Sequence, residues 1–531
     1  MINRYLRQMK KLLIALFILV VILGITAIYL NTYLKNQLQE VIENDLPQSI
    51  SLSYDDIMID SWGGNAKIEN ACVSFKSNDS IPGTSVQNAT VEFKHFSHWD
   101  YFNDNNIHFK TINIHADTLI HYPNSNSKKE IVQEKESDSV KNPISAKNLD
   151  RSFQIEEFNL ITDFIQIRNP ETEQIELKTA HFNLQLKNIT PTITEAITRP
   201  FNYQEIHISS DSLYYKLNAY DALTVAKVDW DGNQLDLEDA HIKTLISRQA
   251  LSKNINKERD HTNFRIKKLT LDSVRYGHHP SKRMYVDASL LTIEQPALIL
   301  YRDKRLPDNY ESKALYSKKL RELKFDLMID SVRIKNGSII YEEQVNTGAP
   351  AGKLDFKNIQ ASIYNLGNTY ALGEKKTAID IKAIFMQKSP FQLHWEFDVQ
   401  NTQDAFKTNG SLSNLPANDL NKFTSPNLGV AMEGELQEIY FNISGNDYAS
   451  HIDMKMKYDD YKVSIMDQEK KKKKWLASTI ANIFISKTSK REESGFKEGQ
   501  GEVTRNRNKS YFNYLWINLK EGMLKAMTLL D

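Results

Sequence analysis

Histidine is the residue whose number and spacing most suggest chemistry in this chain, because imidazole nitrogens bind zinc and other transition metals. The 13 histidines include a His-x-x-His group with two further histidines nearby, and a pair before a proline: His95, His98, His108 and His115, and His278 and His279. The first group lacks a cysteine or carboxylate at a spacing typical of a metal site. Ordinary surface histidines explain both groups better. We therefore predict no metal site and no cofactor.

Catalytic motifs are the second source of chemistry, and the sequence has no P-loop, no GxGxxG, no HExxH and no GxSxG. The single cysteine, Cys72, lies in an alternating run of strand type, which favours a core or half-buried thiol over a nucleophile. Acidic residues are spread evenly along the chain. An enzyme acting on envelope glycans would need converging carboxylates, which the sequence does not reveal. We therefore predict that the protein is not an enzyme.

Composition narrows the class of partner. The chain has 531 residues, with 67 basic and 67 acidic side chains, so its formal net charge is zero. A neutral balance gives no electrostatic footprint for nucleic acid, and we predict that nucleic acid is not a partner. One cysteine cannot form an intrachain disulfide. The length predicts several domains or one elongated, repetitive body.

The N-terminal region carries the strongest single signal. Residues 12–30 form an uncharged run of 19 residues, which as a helix would cross a hydrocarbon core of about 30 Å. Four basic residues precede this run: Arg4, Arg7, Lys10 and Lys11. The positive-inside rule then places the N-terminus in the cytoplasm and the rest of the chain across the membrane. The alternative is a cleaved signal peptide, which normally has a shorter apolar region and a small-residue cleavage site.

The pattern along the whole chain predicts five segments. Residues 1–11 form a cytoplasmic tail, 12–30 a single transmembrane helix and 31–48 a helical extension that stops near Pro47. Residues 49–465 form a repetitive, β-rich body with a flexible, polar loop at 125–148. Residues 466–531 form a basic and amphipathic helical region.

Strands dominate the body because the hydrophobic period changes from 3.6 to 2 after residue 50. Strict alternation occurs at residues 378–382, 395–399 and 452–458, which gives a sheet with one apolar and one polar face. An Asp-Ser or Asp-Thr pair followed by a branched aliphatic residue recurs at residues 117, 211, 272 and 330. We interpret this as a loose repeat in which the pair favours a bulge or bend. Chance occurrence at strand ends is the alternative.

The C-terminal region changes character again. Five lysines at residues 470–474 precede a short apolar segment at 475–485, and a second apolar helical face begins after Tyr511. Candidate residues for contact with a membrane surface lie on that face: Phe512, Leu515, Trp516 and Leu519. The alternative is that this helix packs as a lid on the open end of the sheet.

Three passages resemble the AsmA-like family of Gram-negative envelope proteins, which is related to TamB and to bridge-like lipid-transfer proteins. They are the hairpin-like residues 57–68 directly after the anchor, residues 334–341, and residues 410–463. The resemblance implies a mainly β fold in which an N-terminal transmembrane helix is followed by an elongated, curved, antiparallel β-sheet groove and a few C-terminal helices. It also implies an anchor in the bacterial inner membrane, with the body in the periplasm.

The same resemblance implies a non-enzymatic function: binding or conducting phospholipid along the apolar groove, or supporting outer-membrane biogenesis. Membrane phospholipid is then the expected partner, with other envelope proteins beside it. Six apolar residues of the alternating strands are candidates for the groove lining: Ile379, Ile381, Trp395, Phe397, Met454 and Met456. Periodicity does not distinguish a groove from a closed sandwich. The alternative function is therefore a structural or interaction scaffold of the envelope, with closed β-domains and no lipid transport.

Overall fold

The computed structural model describes residues 2–44, 46–47, 49–78, 81–123, 152–191, 201–279, 283–465, 488–490 and 492–527. The protein is mainly β, with 58% strand and 17% helix, so the predicted fold class is confirmed. The predicted flexible loop at 125–148 and the basic and apolar segments at 470–485 lie outside the described residues.

Contacts divide the chain into two compact units. The N-terminal unit comprises Met1–Lys216 and Lys227–Gly232, and the C-terminal unit comprises Leu217–Ala226 and Asn233–Asp531. The body predicted at residues 49–465 therefore falls into two parts.

Six α-helices occur among the described residues. They are α1 (Ile2–Asn44), α2 (His98–Asn103), α3 (Arg248–Asn254), α4 (Tyr316–Arg321), α5 (Asn421–Leu428) and α6 (Tyr511–Met527). A 3-10 turn at Ala417–Leu420 precedes α5.

Helix α1 runs without a break through the segments predicted as tail, transmembrane helix and extension. Its stretch Leu19–Asn44 has a mean hydropathy of 1.3 and is long and apolar enough to cross a membrane. The helix ends at Asn44, because Pro47 disfavours helical geometry just before it and cannot donate a backbone hydrogen bond. One side of α1 packs on the sheet of the N-terminal unit, where the Asn31 Oδ1 atom accepts a hydrogen bond from the Ser61 amide over 2.8 Å.

Eleven of the described strands belong to the N-terminal unit. They are β1 (Ile50–Ser53), β2 (Asp56–Asp60), β3 (Asn65–Asn78), β4 (Ile81–Phe96), β5 (Asn106–His121), β6 (Ser152–Arg168), β7 (Ile175–Pro191), β8 (Phe201–Asn202), β9 (Glu205–Ser210), β10 (Ser212–Lys216) and β12 (Lys227–Trp230). Most adjacent strands of this sheet pair antiparallel: β2 with β3, β3 with β4, β4 with β5, β6 with β7, β7 with β9 and β9 with β12. The exception is β5 with β6, which run parallel.

Fourteen described strands belong to the C-terminal unit. They are β11 (Asp221–Val225), β13 (Leu235–Thr244), β14 (Asp260–Asp272), β15 (Arg275–His278), β16 (Met284–Glu294), β17 (Ala297–Asp303), β18 (Asp326–Gln344), β19 (Gly352–Gly367), β20 (Thr377–Phe385), β21 (Ser389–Phe397), β22 (Phe406–Pro416), β23 (Val430–Gly445), β24 (Ala449–Ile465) and β25 (Lys497–Thr504). From β18 to β25 each strand pairs antiparallel with the next. Strands β16 and β17 both pair parallel with β18.

Bulges keep the apolar side chains on one face where strict alternation fails. In β4, Asn88 adopts the left-handed conformation with φ of 50°, and Val86, Ala89 and Val91 all pack in one cluster despite the odd spacing. The Asp-Ser motif behaves less uniformly than predicted. Ser273, with φ of 55°, lies at the interruption between strands β14 and β15, whereas Asp330 and Ser331 lie inside the continuous strand β18.

Candidate functional site

The most distinctive surface of the N-terminal unit is an apolar face of its sheet. Cross-strand pairing places two rows of apolar side chains side by side on β3, β4, β5, β6, β7 and β9, because directly paired residues of adjacent strands point to the same face. We call these two rows the apolar ladder. Its first row is Ile68, Val91, Ile114, Leu160, Leu184 and Ile208, and its second is Ala66, Phe93, Ile112, Phe158, Leu186 and Ile206.

Partial exposure distinguishes the apolar ladder from a core. Only Ile112 and Leu186 of its twelve residues are buried, at 8% and 5% exposure, and the others are half-buried. The described part of this unit has two helices, of which α1 contacts β2 and α2 contacts β5, so neither lies across β6, β7 and β9. Its buried apolar cluster consists of three alanines, Ala71, Ala89 and Ala116, and only Ile68 and Val91 of the apolar ladder pack against it. On β6, β7 and β9 the apolar ladder is therefore apolar surface that neither described helix of this unit covers.

The opposite face of the same strands is polar and internally bonded. A row of paired residues crosses it between the two apolar rows: Lys67, Glu92, Asn113, Asn159, Gln185 and His207. The Asn159 side-chain amide donates to Asn113 Oδ1 over 3.0 Å, and the Gln185 side-chain amide donates to Glu157 over 2.8 Å. The hydrogen bond from Lys94 holds the pKa of Glu92 below its ordinary value. The sheet thus has one solvated face and one apolar face.

The six residues predicted to line a groove lie in the C-terminal unit, on one face of its sheet. Ile379 pairs with Trp395 across β20 and β21, and Ile381 continues the next row. Trp395, Phe397, Met454 and Met456 are buried members of the largest core cluster, and Ile379 and Ile381 pack against it. Protein side chains surround the four buried residues, and Ile379 and Ile381 are half-buried beside them, so contact of the six with lipid stays a prediction.

Helix α6 is the element that covers this core. The Tyr511 ring stacks on Trp395 with centroids 4.2 Å apart and planes at 7°, and its hydroxyl lies 2.5 Å from Thr408 Oγ1. Burial raises the pKa of Tyr511. Gly522 lies against Met454, where a Cβ atom would come within 3.0 Å of the Met454 Cβ. The packing of α6 corresponds to the lid alternative of the sequence interpretation.

The four residues predicted for a membrane surface divide between the two sides of α6. Phe512 and Trp516 are 62% and 44% exposed, on the outer side of the helix. Leu515 and Leu519 are half-buried and pack against the core cluster. Contact with a membrane therefore stays a prediction for Phe512 and Trp516, while Leu515 and Leu519 serve the packing of the helix.

The basic residues before α6 are paired inside the protein. Arg505 and Arg507 both form ion pairs with Asp447, and the Lys509 ammonium lies 2.9 Å from Asp308. Burial lowers the pKa of the Arg505 guanidinium. For Lys509, the bonds to Asp308 and Glu258 outweigh burial and raise the pKa. These charges tie the start of α6 to the C-terminal unit.

A pair of glycines on β25 tests how closely α6 packs on the sheet. A Cβ atom on Gly499 would lie 2.4 Å from the Ala526 nitrogen and 2.5 Å from the Gly522 oxygen, both backbone atoms of α6. We expect Gly499→Ala to lower the free energy of unfolding by about 1–3 kcal/mol, because the helix must shift outward. Thermal or denaturant unfolding of the full chain measures this change.

Gly501 provides the matched control, since it lies two residues along the same strand and on the same face. The three atoms nearest to a Cβ atom there all belong to the Glu521 side chain, with Cγ at 2.6 Å, and that side chain can move. We expect Gly501→Ala to change the free energy of unfolding by less than about 0.5 kcal/mol. Equal effects of the two substitutions would show that α6 does not press on β25 at Gly499.

Two of the histidines that suggested metal chemistry, His108 and His279, lie close to carboxylates. The His108 ring lies 2.5 Å from Asp100 and 3.2 Å from Glu156, which joins α2 to the sheet. His278 lies in β15, and His279 lies 3.3 Å from Asp326. Within the described ranges, no group of three or more histidine, cysteine, aspartate or glutamate residues is arranged to hold a metal ion. Cys72 is half-buried, and its thiol lies 3.7 Å from Asn88 Oδ1.

The fold and these surfaces define a mainly β protein with an N-terminal helix able to span a membrane. No protein-family model and no curated protein sequence matches the chain.

The apolar ladder was missed by the sequence interpretation, which chose its candidates from the C-terminal unit. The signal was present in pairs of apolar residues two positions apart, such as Ile112 and Ile114 or Leu184 and Leu186. The pattern does not reveal which strands are neighbours in the sheet, or which element covers each face of the sheet. The exposed face could be recognised only once the register and the helices were known.

Proposed function

We propose that this protein is an AsmA-like, membrane-anchored envelope protein that binds phospholipid by receiving acyl chains on the apolar ladder of the N-terminal unit. The observation that carries the proposal is the apolar ladder itself, twelve apolar residues of which ten are only half-buried. Soluble proteins rarely expose apolar surface over a wide patch unless it binds something. A protein beside a membrane has acyl chains as the nearest apolar partner.

Dimensions support this proposal. The six strands of the apolar ladder, about 4.8 Å apart, extend over about 24 Å. An acyl chain occupies one half of a hydrocarbon core of about 30 Å, or roughly 15 Å. The apolar ladder is therefore long enough for a whole acyl chain lying across the strands. The polar row on the other face allows the same sheet to remain in water while one side holds lipid.

The proposed location follows from α1 and its flanking charges. The basic residues at positions 4, 7, 10 and 11 favour a cytoplasmic N-terminus, and the β-rich units would then lie on the other side of the membrane. In a Gram-negative cell this places the units in the periplasm, with the anchor in the inner membrane. Binding needs no reacting group, and we propose no enzymatic step.

A scaffold without lipid transport is the second candidate, and one observation favours it. The core under α6 is filled by protein side chains, including the stacked rings of Trp395 and Tyr511. A closed domain of this kind suits protein contact better than lipid passage. The two candidates differ in what touches the apolar ladder.

Photo-crosslinking from single positions of β6 tests the proposal. A photoreactive amino acid at Phe158 faces the apolar side, while the same amino acid at the next residue, Asn159, faces the polar side. In the full chain in its native membrane, we expect the probe at Phe158 to label radioactive phospholipid at least about tenfold more strongly than the probe at Asn159. Equal labelling, or labelling of protein alone at Phe158, would favour the scaffold.

A further inference from the structure

Exposed aromatic side chains gather at the end of the N-terminal unit where α1 emerges from its apolar run. Trp62, in the turn between β2 and β3, is 76% exposed, and Trp99 and Phe102 on α2 are 73% and 78% exposed. Large aromatic rings are costly to leave in water, so three of them at one end of a sheet need a partner. We call these three residues the aromatic edge.

Hydrogen bonds hold the three parts of this end together. The Ser61 amide donates to Asn31 of α1, and the next residue is Trp62. Two residues later, the Gly64 carbonyl accepts from the Phe96 amide over 2.8 Å, which joins the β2–β3 turn to the end of β4. Helix α2 begins two residues after Phe96. The aromatic edge is therefore fixed to α1 through a short series of hydrogen bonds, of which the first is accepted by the Asn31 side chain.

Local contacts fix the backbone conformation of the β2–β3 turn and of α2. Gly64 has φ of 66°, and a Cβ atom there would lie 2.6 Å from the Phe96 oxygen, so only glycine fits. Asp60 accepts from the Gly63 amide over 3.0 Å, which lowers the Asp60 pKa and closes the turn. Ser97 caps α2 through the Asp100 amide over 3.2 Å. Trp62, Trp99 and Phe102 are thus presented by ordered backbone.

A second group of aromatic rings packs between α2 and the sheet, behind the aromatic edge. The Phe96 ring contacts Tyr101 and Phe109, with centroids 5.5 Å and 5.3 Å apart. These inner rings occupy the sheet side of α2, which leaves Trp99 and Phe102 on its outer side.

The position of the aromatic edge along α1 indicates which surface its rings contact. The uncharged run at residues 12–30 ends one residue before Asn31, and at 1.5 Å per residue it is about 28 Å long, the thickness of a hydrocarbon core. Asn31 therefore lies at the boundary between acyl chains and headgroups. Tyr29 and Tyr33 of α1, which are 74% and 51% exposed, lie at the same level. Trp and Tyr concentrate at this boundary in membrane proteins.

We propose that the aromatic edge inserts into the headgroup boundary of the leaflet from which α1 emerges, so that the N-terminal unit rests on the bilayer through Trp62, Trp99 and Phe102. This contact is separate from acyl-chain binding on the apolar ladder. Its role is to fix the start of the sheet at the membrane surface rather than to let it swing on the helix.

Depth measurement with single fluorescent labels tests this contact. In the full chain with Cys72→Ser, the variants Trp62→Cys, Trp99→Cys and Phe102→Cys each carry an environment-sensitive NBD label, in vesicles of phosphatidylethanolamine and phosphatidylglycerol. We expect blue-shifted emission and strong quenching by lipids that carry a nitroxide near the headgroup. The control is Phe75→Cys, because Phe75 is 43% exposed on β3 and lies ten residues, or about 33 Å, from Asn65 at the β2–β3 turn.

The control label should show water-like emission and at least about fivefold less quenching than the three edge labels. A second measurement avoids the loss of the rings: Trp62→Phe and Trp99→Phe together should reduce quenching of tryptophan emission by brominated lipid, without altering the circular dichroism spectrum. Water-like, unquenched edge labels would overturn the proposal, and so would blue-shifted labels that lipid nitroxides fail to quench. Quenching of the three edge labels should persist in a variant in which lysines introduced on the apolar ladder abolish acyl-chain binding.

Discussion

The variant Leu160→Lys/Leu184→Lys is expected to reduce lipid crosslinking on the N-terminal unit by at least about tenfold. Leu160 and Leu184 are directly paired on β6 and β7, in the middle of the first row of the apolar ladder. An acyl chain lying there would have to desolvate two ammonium groups, and burying an unpaired charge costs far more than the 1.4 kcal/mol that corresponds to tenfold in binding. The measurement is labelling of radioactive phospholipid from the photoreactive residue at position 158.

The control variant introduces two lysines on the polar face of the same two strands, β6 and β7. Asn159→Lys/Gln185→Lys changes a directly paired couple one residue away from each leucine, next to Glu157. Crosslinking in this control should stay within about twofold of the unchanged chain, because the added lysines face water. If both variants lost crosslinking equally, the effect would come from net charge and not from the apolar ladder.

Trp395→Ala is expected to lower the free energy of unfolding of the C-terminal unit by about 3–5 kcal/mol. Trp395 is 8% exposed and lies between the ring of Tyr511 and the ring of Phe397, whose centroid is 5.2 Å away. Its removal leaves a cavity under α6 and ends the aromatic stacking. Denaturant unfolding of the full chain, followed by near-ultraviolet circular dichroism, reports the loss.

Trp516→Ala is the matched control, since the same residue type is removed from the outer side of α6. Trp516 is 44% exposed, and we expect its loss to change the free energy of unfolding by less than about 1 kcal/mol. The comparison separates the packing of α6 from its outer surface. A large effect at Trp516 with a small effect at Trp395 would mean that α6 presents its other side to the sheet.

Alternation in the sequence was sufficient to predict the strands, because a sheet with two different faces requires a period of two. The run at residues 452–458 lies within β24, and the run at 395–399 overlaps the end of β21, which stops at Phe397. Helix α1 could be predicted from hydrophobicity alone, and its extension past the apolar run from the spacing of Leu34, Leu38 and Ile42.

Three parallel pairings, of β5 with β6 and of β16 and β17 with β18, were not predicted, although the sequence contained a clue at both places in the chain. Parallel neighbours need a crossover of a dozen or more residues. The interruptions in the strand pattern fall between β5 and β6, at residues 122–151, and between β17 and β18, at residues 304–325, where α4 lies. Long polar interruptions in a run of hairpins therefore indicated a change of strand direction as well as a loop.

The choice of groove residues could not be made from alternation, for a physical reason. Ile381 in the C-terminal unit and Ile114 in the N-terminal unit have the same residue type and lie in strands of the same period. Both are half-buried, but they differ in their neighbours: Ile381 packs against the core cluster under α6, whereas Ile114 lies on the apolar ladder. That difference depends on where α6 packs, through contacts such as Tyr511 with Trp395 that are over 100 residues apart in sequence.

The most direct test of the central claim is an experimental density map of the full chain in a bilayer disc made from its own membrane lipids. We predict elongated density of acyl-chain width along the apolar ladder, within van der Waals contact of Ile114, Leu160 and Leu184. Protein side chains packed over these three residues, with no lipid between, would contradict the proposed function and establish the N-terminal unit as a closed domain.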